Sequence, residues 1–530
     1  MILRYGPFLG EIPKVAAHLL PQGAAQTARH CKLWNGTLRP FRTDLSVATP
    51  AKVGTKQAIH LFAGQYWFSF LDEVQILRGP VAGDVQHRTY FSGDTAAGQP
   101  AVTDAAIAVQ GTQYPVNWYD LGIPAPSANL SVAFAGAPTS TDPADKEDRL
   151  YAYSLVSAWG EEGPLSPPSA TVEWRPGLTV DLAGFAAPVT GRYNLSAYRI
   201  YRTLAGEYKF LAEVPIAATA YNDAVPSAVL GEVCPSIWWY PPPATLRFIG
   251  VHPGSFLVGF AGNELIVSEA GVPHAYNPNH RLTTDYPIVG GGIFGQSILV
   301  LTTGTPYLAT GATPDNLSLE RIEINQACVS RRSIVDMGEA VGFASPDGYY
   351  MVGPGVARNL TEGLFDRDQW QALQPATMLA AFHDGALFLF HATGGFIVVP
   401  GEVPTKIDLG FTTTALHVDP VTDALYFTSG HDIVRWEGGS ALRTARWKSR
   451  LERLPKPCNF GWGQIRGKDF PGTVRLYGDG TLRYEVTVAS AAPFRLPGGY
   501  WAEEYEVETE GAWEVQEVVF AESIEELKAL

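Results

Sequence analysis

The chain contains 530 residues, a length that suits roughly two to four domains with buried cores. It carries 54 glycines, 40 prolines and 12% aromatic residues but only 17% charged residues, a composition that favours short strands and tight turns over helical bundles. The net charge of -15 argues against a surface that grips nucleic acid, which needs clustered Lys and Arg, but it allows a channel through which DNA slides. The composition predicts an all-β protein.

The negative charge is concentrated at the end of the chain. Residues 501–530 contain ten Glu and one Lys, which accounts for nine of the fifteen net negative charges. A Glu-rich segment of this kind would repel DNA phosphates if it faced a channel. Placement of this segment on the lumen of a channel is one hypothesis, which the charge alone does not decide.

The cysteines and the N-terminus indicate a protein that is made and folded in a reducing cytoplasm. Cys31, Cys234, Cys328 and Cys458 are far apart and form no C-x-x-C pair, so we expect reduced, mostly buried thiols and neither a zinc site nor a disulfide framework. Three prolines and a glutamate interrupt the first 26 residues, and no run of ~18 apolar residues occurs anywhere. The sequence predicts a soluble protein with no signal peptide and no membrane-spanning segment.

The first 122 residues are predicted to comprise an extended segment at 1–45 and the first part of a β-propeller at 46–122. Residues 57–78 contain a candidate hairpin, and residues 86–93 contain another strand. These elements would supply one or two blades from the N-terminal side.

Residues 123–240 are predicted to be an insertion in the propeller. RLYAYSLVSAWGEEGPLSPPSATVEW (149–174) is followed by the strand pair of YNLSAYRIYRTLAGEYKFLAEVPIAATAYND (193–223). This order resembles a fibronectin type III-like β-sandwich over about 125–232. The Pro-rich flanks IPAPS and YPPPA suit stiff connections on either side.

Residues 241–445 are predicted to form the rest of the propeller, because one pattern of strand, polar turn and aromatic-rich strand recurs about every 40 residues, the length of a four-stranded blade. The turns are placed at Gly262-Asn263, Gly304, Asp347-Gly348 and Asp384-Gly385, and near Asp419 and Asp423. Asp-Gly and Asn-Gly pairs accept the positive φ that two-residue hairpins need.

Residues 446–530 are predicted to be a small acidic C-terminal β domain. Asp479-Gly480 lies between the alternating segments TVRLY and TLRYEVTV, which indicates a hairpin. The final ESIEELKAL is expected to form one helical turn or to fray.

Two short segments contain acidic residues that are candidates for catalysis. Ser345-Pro346-Asp347-Gly348 resembles the Ser-x-Asp-x-Gly box of sialidase-like propellers, but Gly follows Asp directly, so a hairpin turn is the better interpretation. Asp366 and Asp368 could act as a glycosidase pair, since such carboxylates need only lie ~5 to 9 Å apart after folding. The alternative is that they face solvent or pair with Arg367.

Other residues are candidates for metal, cofactor or sugar binding. His274 and His280, with Glu269 nearby, lie in a Pro-rich loop, where packing or capping explains a His as well as metal binding does. GGGIFG (290–295) lies between strands and opens no helix. The tryptophans that could stack on sugars or pack in the core are Trp67, Trp118, Trp238, Trp239 and Trp370. The sequence predicts no catalytic residue, no metal ligand and no cofactor, and we expect a protein that is not an enzyme.

One stretch of the chain resembles a known family. Its parts are WWYPPPATLRFIGVHPGSFLVGFAGN, ELIVSEAGVPHAYNP, VLTTGTPYLATGATP, QACVSRRSIVDMG, GFASPDGYYMV and NLTEGLFDRDQW, which cover about 200 residues, with RWKSR (446–450) at the start of the C-terminal domain. Together they resemble propeller-bearing bacteriophage virion proteins and, more distantly, the tail nozzle proteins of short-tailed phages. The insertion at 123–240 and Ala270-Gly271 depart from the nozzle pattern.

The resemblance implies a structural protein of a phage tail that forms a ring of itself, typically a hexamer, below an adaptor ring. Such a nozzle or tube-like ring extends the DNA channel, passes genomic DNA without reading its sequence during ejection, and docks fibres or other tail proteins. The implied location is the virion tail, after assembly in the host cytoplasm. Two alternatives remain open, a receptor- or glycan-binding propeller on the virion and a polysaccharide-degrading enzyme.

Overall fold

The computed structural model describes residues 1–187, 191–399 and 404–529, and these residues form an all-β protein, as the sequence predicts. The first strands are β1 (Ile2–Tyr5), β2 (Ala25–Arg29), β3 (Cys31–Lys32), β4 (Arg39–Pro40), β5 (Leu45–Ala48), β6 (Ala58–Phe62), β7 (Tyr66–Phe70), β8 (Gln75–Arg78), β9 (Thr89–Ser92), β10 (Ala101–Thr103) and β11 (Tyr119–Asp120). The next are β12 (Ser131–Gly136), β13 (Glu147–Arg149), β14 (Tyr151–Ser157), β15 (Val172–Trp174), β16 (Leu178–Ala183), β17 (Leu195–Leu204), β18 (Glu207–Pro215) and β19 (Ala220–Asp223).

The second half of the chain continues the pattern. Its first strands are β20 (Arg247–His252), β21 (Phe256–Ala261), β22 (Glu264–Val267), β23 (Leu282–Thr283), β24 (Ile288–Phe294), β25 (Ser297–Thr302), β26 (Tyr307–Thr310), β27 (Ser318–Arg321), β28 (Val335–Asp336), β29 (Val341–Ser345), β30 (Gly348–Gly353) and β31 (Val356–Asn359). They are followed by β32 (Leu379–His383), β33 (Ala386–His391), β34 (Gly394–Val399), β35 (Thr405–Asp408), β36 (Leu416–Asp419), β37 (Ala424–Ser429) and β38 (Asp432–Arg435).

The C-terminal strands are β39 (Ala445–Ser449), β40 (Glu452–Cys458), β41 (Trp462–Lys468), β42 (Gly472–Gly478), β43 (Thr481–Val488), β44 (Phe494–Arg495), β45 (Ala502–Gly511) and β46 (Glu514–Ala521). Three short α-helices accompany them, α1 (Ala105–Ala108), α2 (Arg367–Ala372) and α3 (Ile524–Lys528). Helix α3 supplies the helical turn expected near the end of the chain, whereas Leu530 lies outside the described residues. Among the described residues, no helix is long and apolar enough to cross a membrane.

The chain divides into two compact units. The first comprises Met1–Ser69, Thr303–Pro306 and Glu323–Leu530, and the second comprises Phe70–Thr302 and Tyr307–Ile322. This division differs from the domain boundaries suggested by the sequence.

The second unit contains three four-stranded antiparallel sheets of propeller-blade type, formed by β8–β11, β20–β23 and β24–β27. The segment predicted as an insertion forms the sheets β12-β16-β19 and β14-β17-β18 and the pair β13-β15. The two three-stranded sheets share a core of buried Tyr, Leu, Ile and Val side chains, among them Tyr153, Val180, Leu182 and Ile200.

The first unit contains blade-type sheets β28–β31 and β36-β37-β38-β5, while β32–β35 continue through β2 into a ten-stranded sheet that also holds β39, β40, β42, β43 and β45. A further sheet has the order β1-β46-β41-β44. The N-terminal residues therefore pair with late parts of the chain: β1 is antiparallel to β46, β2 to β39 and β5 to β38. One large core joins these sheets, with Phe8, Trp447, Val507 and Trp513 almost fully buried.

Candidate functional site

The Asp347 turn lies one residue earlier than the sequence suggested. Ser345 pairs with Gly348, so the two-residue loop is Pro346-Asp347 and Gly348 already belongs to β30. Proline fixes φ near −65°, which suits the first central position of a turn without any residue at positive φ. At Asp384-Gly385 and Asp479-Gly480 both residues do have positive φ (49° and 70°, 51° and 71°), as predicted for these pairs.

Gly348 is required for space next to Asn359. A Cβ at Gly348 would lie 2.4 Å from the Asn359 Nδ2 atom. The Asn359 side chain donates to the Asp347 carbonyl oxygen (3.3 Å) and accepts from the Thr361 backbone N–H (2.9 Å). The close approach therefore holds the Asp347 turn against the end of β31.

Trp370 stabilises the same turn through a buried hydrogen bond. Its side chain is 1% exposed, and its indole N–H donates to the Ser345 carbonyl oxygen at 2.8 Å. Gln371 donates to the Pro346 carbonyl oxygen at 2.5 Å. Trp370 is thus a core residue and offers no face on which a sugar could stack.

Asp366, weighed as a catalytic acid, caps helix α2. Its carboxylate accepts from the Gln369 backbone N–H (2.8 Å), and Gln369 Oε1 accepts from the Asp366 backbone N–H (3.0 Å), which is a capping box. Asp368 is exposed in the first turn. Arg367 points its Nε to Asp347 Oδ1 at 3.3 Å, so its acidic partner comes from the turn, not from its own segment.

These elements enclose one open polar cleft, which we call the Asp347 cleft. Its volume is about 660 Å³, and it is lined by Lys14, Asp347, Tyr350, Ala357, Arg358, Asn359, Glu362, Phe365, Asp366 and Arg367. The three cationic and three anionic side chains balance. The Pro346-Asp347 turn and the LFDRDQW segment (364–370) are thus separate in sequence but form one surface in the structure.

A second charged surface covers one face of the C-terminal sheet, and we call it the charged sheet face. It consists of Arg446 and Lys448 on β39, Arg475 on β42, and Glu506, Glu508 and Glu510 on β45. The register places Arg475 opposite Glu508 and Lys448 opposite Glu508 on the other side. Directly opposed unlike charges stabilise a sheet, and like charges would destabilise it.

Glu508 is the centre of this face. Its side chain is 1% exposed and lies 2.9 Å from Arg446 Nε and 2.7 Å from Arg475 Nη1. Burial opposes ionisation of Glu508, but hydrogen bonds from Arg446 and Arg475 outweigh it and hold the pKa of its carboxyl below the ordinary value. Arg475 also contacts Glu510 (2.5 Å) and Glu485 (2.7 Å), which makes a continuous network.

The acidic tail is neutralised by cations from elsewhere in the chain. Eight of its ten glutamates form ion pairs, namely Glu504, Glu506, Glu508, Glu510, Glu514, Glu517, Glu522 and Glu526. Their partners are Arg4, Arg39, Arg446, Lys448, Arg453, Arg466, Arg475 and the N-terminal amine. With Lys528, these cations number nine against the ten glutamates, so the tail and its partners together carry about -1, and Glu485, which shares Arg475, adds one further negative charge.

The period-two spacing of the tail glutamates was visible in the sequence EYEVETEG, in which Tyr505, Val507 and Thr509 alternate with them and are buried. The partner cations were not foreseen, because they lie more than 25 residues away on neighbouring strands. The basic alternation in ARWKS (445–449), which forms β39, is the signal that could have indicated them.

His274 and His280 contact different residues. His280 Nδ1 lies 3.3 Å from Glu269 Oε1, whereas His274 Nε2 contacts the Glu162 carbonyl oxygen at 3.1 Å. Burial lowers the pKa of His274 to about 4. In the described part of the chain, no group of three or more His, Cys, Asp or Glu side chains is placed to hold a metal ion.

The GEEG segment (160–163) supplies two buried acids that sequence reasoning did not single out. Glu162 accepts hydrogen bonds from Ser154 (2.6 Å), Tyr201 (2.7 Å), Ser236 (2.9 Å) and Arg199 (2.8 Å). The paired acids flanked by glycines in SAWGEEGPL were the available signal. Four donors from three segments, β14, β17 and the turn at Ser236, make Glu162 a structural centre of the second unit.

The remaining tryptophans are mostly in contact with other rings or cations. Trp67 packs on His417 and Tyr426, Trp118 lies under Arg192, and Trp239 meets His274 edge to face. Trp238 is 52% exposed. All four cysteines are free and buried, as expected.

No protein-family model matches this chain, and no curated protein matches it. Among solved structures, it is similar to BBS1N from a complex with ARL6DN (10% identity, TM-score 0.30, covering 75% of this chain and 96% of that one). It is also similar to BamB from Moraxella catarrhalis (12%, 0.25, 54% and 90%) and to the Pan2 WD40 domain of Neurospora crassa (10%, 0.27, 59% and 97%). Because all three TM-scores are below 0.5, no property of these proteins is carried over to this chain.

Proposed function

We propose that this chain is a structural protein of a bacteriophage tail, assembled as a nozzle or tube-like ring that docks other tail proteins or fibres. The observation that carries the proposal is that early strands of the sequence are built into the C-terminal sheets. Strand β1 pairs with β46 over four residues, and β2 pairs with β39. A component that transmits force between neighbours benefits from sheets whose strands come from distant parts of the sequence, because no single segment then separates on its own.

The sequence resemblance supplies the virion context of the proposal. The charged sheet face changes one part of it, because a tail whose local charge is about -1 would repel DNA only weakly. We therefore propose the Glu-rich strand as part of the scaffold. The passage of genomic DNA through the ring rests on the resemblance alone.

We also propose that the blade-type sheets of the chain belong to one β-propeller and that residues 123–240 are a fibronectin type III-like docking arm. Strand β12 pairs with β16, and β14 pairs with β17, which pairs with β18. This pairing resembles the B-E and C-F-G pairing of immunoglobulin-like sandwiches and supports the proposal, while β13-β15 and β16-β19 are additional pairs. The arm would contact fibres or other tail proteins.

The test is to determine the composition and structure of particles from a phage, or an induced prophage, whose genome encodes this chain. We expect mass spectrometry to find the chain in purified particles, and cryo-electron microscopy to show it as a ring around the tail axis, with six copies as the resemblance implies. Particles that are complete and infectious without the chain would contradict the proposal. A purified protein that stays monomeric, and that is absent from particles, would do the same.

A further inference from the structure

The Asp347 cleft has the properties of a binding site that a scaffold does not need. Its volume of about 660 Å³ lies within the ~300–1,000 Å³ typical of ligand pockets. Its walls come from the Pro346-Asp347 turn, from β31 and from the segment that leads into α2. All of these lie in the first unit.

The walls are fixed before any ligand arrives. Trp370 and Gln371 hold the carbonyl oxygens of Ser345 and Pro346, and Asn359 holds that of Asp347. The Asp366 capping box fixes the opposite side. A preorganised wall loses little conformational entropy when it binds a ligand.

The polar groups of the cleft are balanced in charge but rich in both donors and acceptors. Arg358 is exposed on β31, where Met351 is its cross-strand partner, and Arg367 is 74% exposed. Asp347 keeps 41% of its side chain exposed, and Tyr350 presents a partly exposed phenol beside Asn359. Guanidinium groups donate, carboxylates accept and a phenol does both.

We propose that the Asp347 cleft binds a neutral oligosaccharide. Sugar hydroxyls donate and accept in turn, so they match a mixed set of carboxylate, guanidinium and phenol groups, and Tyr350 adds an aromatic ring to the lining. A strongly charged ligand would meet as many like charges as unlike ones. The site goes beyond the proposed tail function, and the two can fail independently.

The experiment uses the full chain on an array of defined oligosaccharides that includes neutral glucan, N-acetylglucosamine and rhamnose oligomers, acidic uronic- and sialic-acid oligomers, and inorganic phosphate as a separate charged probe. The best neutral binder is then titrated by calorimetry against the wild type and four variants. Arg358→Ala and Arg367→Ala remove exposed donors, and Tyr350→Phe removes only a hydroxyl. Arg321→Ala, at an exposed position of β27 in the second unit, is the matched control.

We expect a neutral oligosaccharide to bind, at least about tenfold more weakly to Arg358→Ala and more weakly to Tyr350→Phe, with no change in Arg321→Ala. Thermal unfolding checks that each variant is folded, and Arg367→Ala provides a second test if Arg358→Ala is not. Three results would overturn the proposal: no array member binds, only acidic oligomers or phosphate bind, or the affinity is unchanged in both arginine variants.

Discussion

Glu161 and His274 show how burial acts on an acid and a base in opposite directions. Burial raises the pKa of Glu161 to about 7, although the Arg88 guanidinium lies 2.8 Å away, and Arg88 also contacts Asp84. Burial lowers the pKa of His274 to about 4. The Nδ1 atom of His274 lies 3.8 Å from Glu161. Both side chains therefore favour their neutral forms in the folded protein.

The sign of the Glu161 contribution follows from its raised pKa. Between its ordinary value of 4.5 and about 7, the folded chain holds a proton that the unfolded chain has lost. The stability that this proton gives is fully present below pH 4.5 and is lost as the pH rises to about 7. The His274 contribution runs the other way: it is present above the ordinary value of 6.5 and is lost as the pH falls to about 4.

We predict that Glu161→Gln flattens the pH dependence of stability. Since Gln cannot ionise, the decrease in unfolding free energy between pH 5 and pH 8 should shrink by roughly 2–3 kcal/mol relative to the wild type. Urea unfolding at several pH values measures this. Glu213→Gln, at a position 46% exposed and paired with Arg199, is the control substitution at an exposed glutamate. Parallel profiles for Glu161→Gln and wild type would contradict the prediction.

At the scale of elements, the charged sheet face contains ion pairs that differ mainly in burial. Glu508 is 1% exposed between Arg446 and Arg475, whereas Arg453 and Glu504 are 62% and 35% exposed. Exposed pairs contribute little because water and salt screen them, while loss of one partner of a buried carboxylate leaves that carboxylate poorly solvated. The two pairs provide a comparison within the same sheet.

We predict that Arg475→Met lowers the unfolding free energy of the first unit by roughly 1–3 kcal/mol, since Arg446 still compensates Glu508 in part. Arg453→Met should cost under about 0.5 kcal/mol. Thermal unfolding at low and high salt measures both effects. The folded pKa of Glu508 is depressed, so the stability from its pairs is present above the ordinary value of 4.5 and the Arg475→Met effect should shrink in acid. Equal costs for the two variants would show that burial does not set the strength of these pairs.

At the scale of the whole molecule, the first residues of the chain stabilise the last ones. On β1, Leu3 is 7% exposed and pairs with Phe520, while its neighbour Ile2 is 39% exposed. Both side chains are aliphatic, but they lie on opposite faces of the sheet, because successive side chains of a strand point to opposite sides.

We predict that Leu3→Ala costs about 2–4 kcal/mol and that Ile2→Ala costs less than about 1 kcal/mol. In hydrogen exchange, Leu3→Ala should lower the protection of β46 (514–521), whose residues 518–521 pair with β1, and leave residues 195–215 of the other unit unchanged. If residues 514–521 kept full protection in Leu3→Ala, the N-terminal strand would not stabilise the C-terminal sheet.

Sequence alone determined the features that depend on neighbours in the chain. Alternating apolar residues and Gly- and Pro-rich turns indicated an all-β protein, and Asp384-Gly385 and Asp479-Gly480 adopt the predicted positive φ because the turn requirement is local. The Pro346-Asp347 loop was misplaced by one residue, because strand pairing sets the register, and Gly348 instead begins β30, where it is packed against Asn359.

Only the tertiary structure decided what the tail glutamates and the buried acids meet. Arg475 and Arg446, the partners of Glu508, lie 33 and 62 residues away from it in sequence. Arg88 and His274, the neighbours of Glu161, lie 73 and 113 residues away from it. Burial and pairing across such separations set both pKa values and local charge, so a segment that carries nine net negative charges in sequence is nearly neutral once folded. In the same way, folding brings Asp347 and Asp366 to one cleft, because the turn and the helix cap are held together by Trp370 through a hydrogen bond that no local pattern encodes.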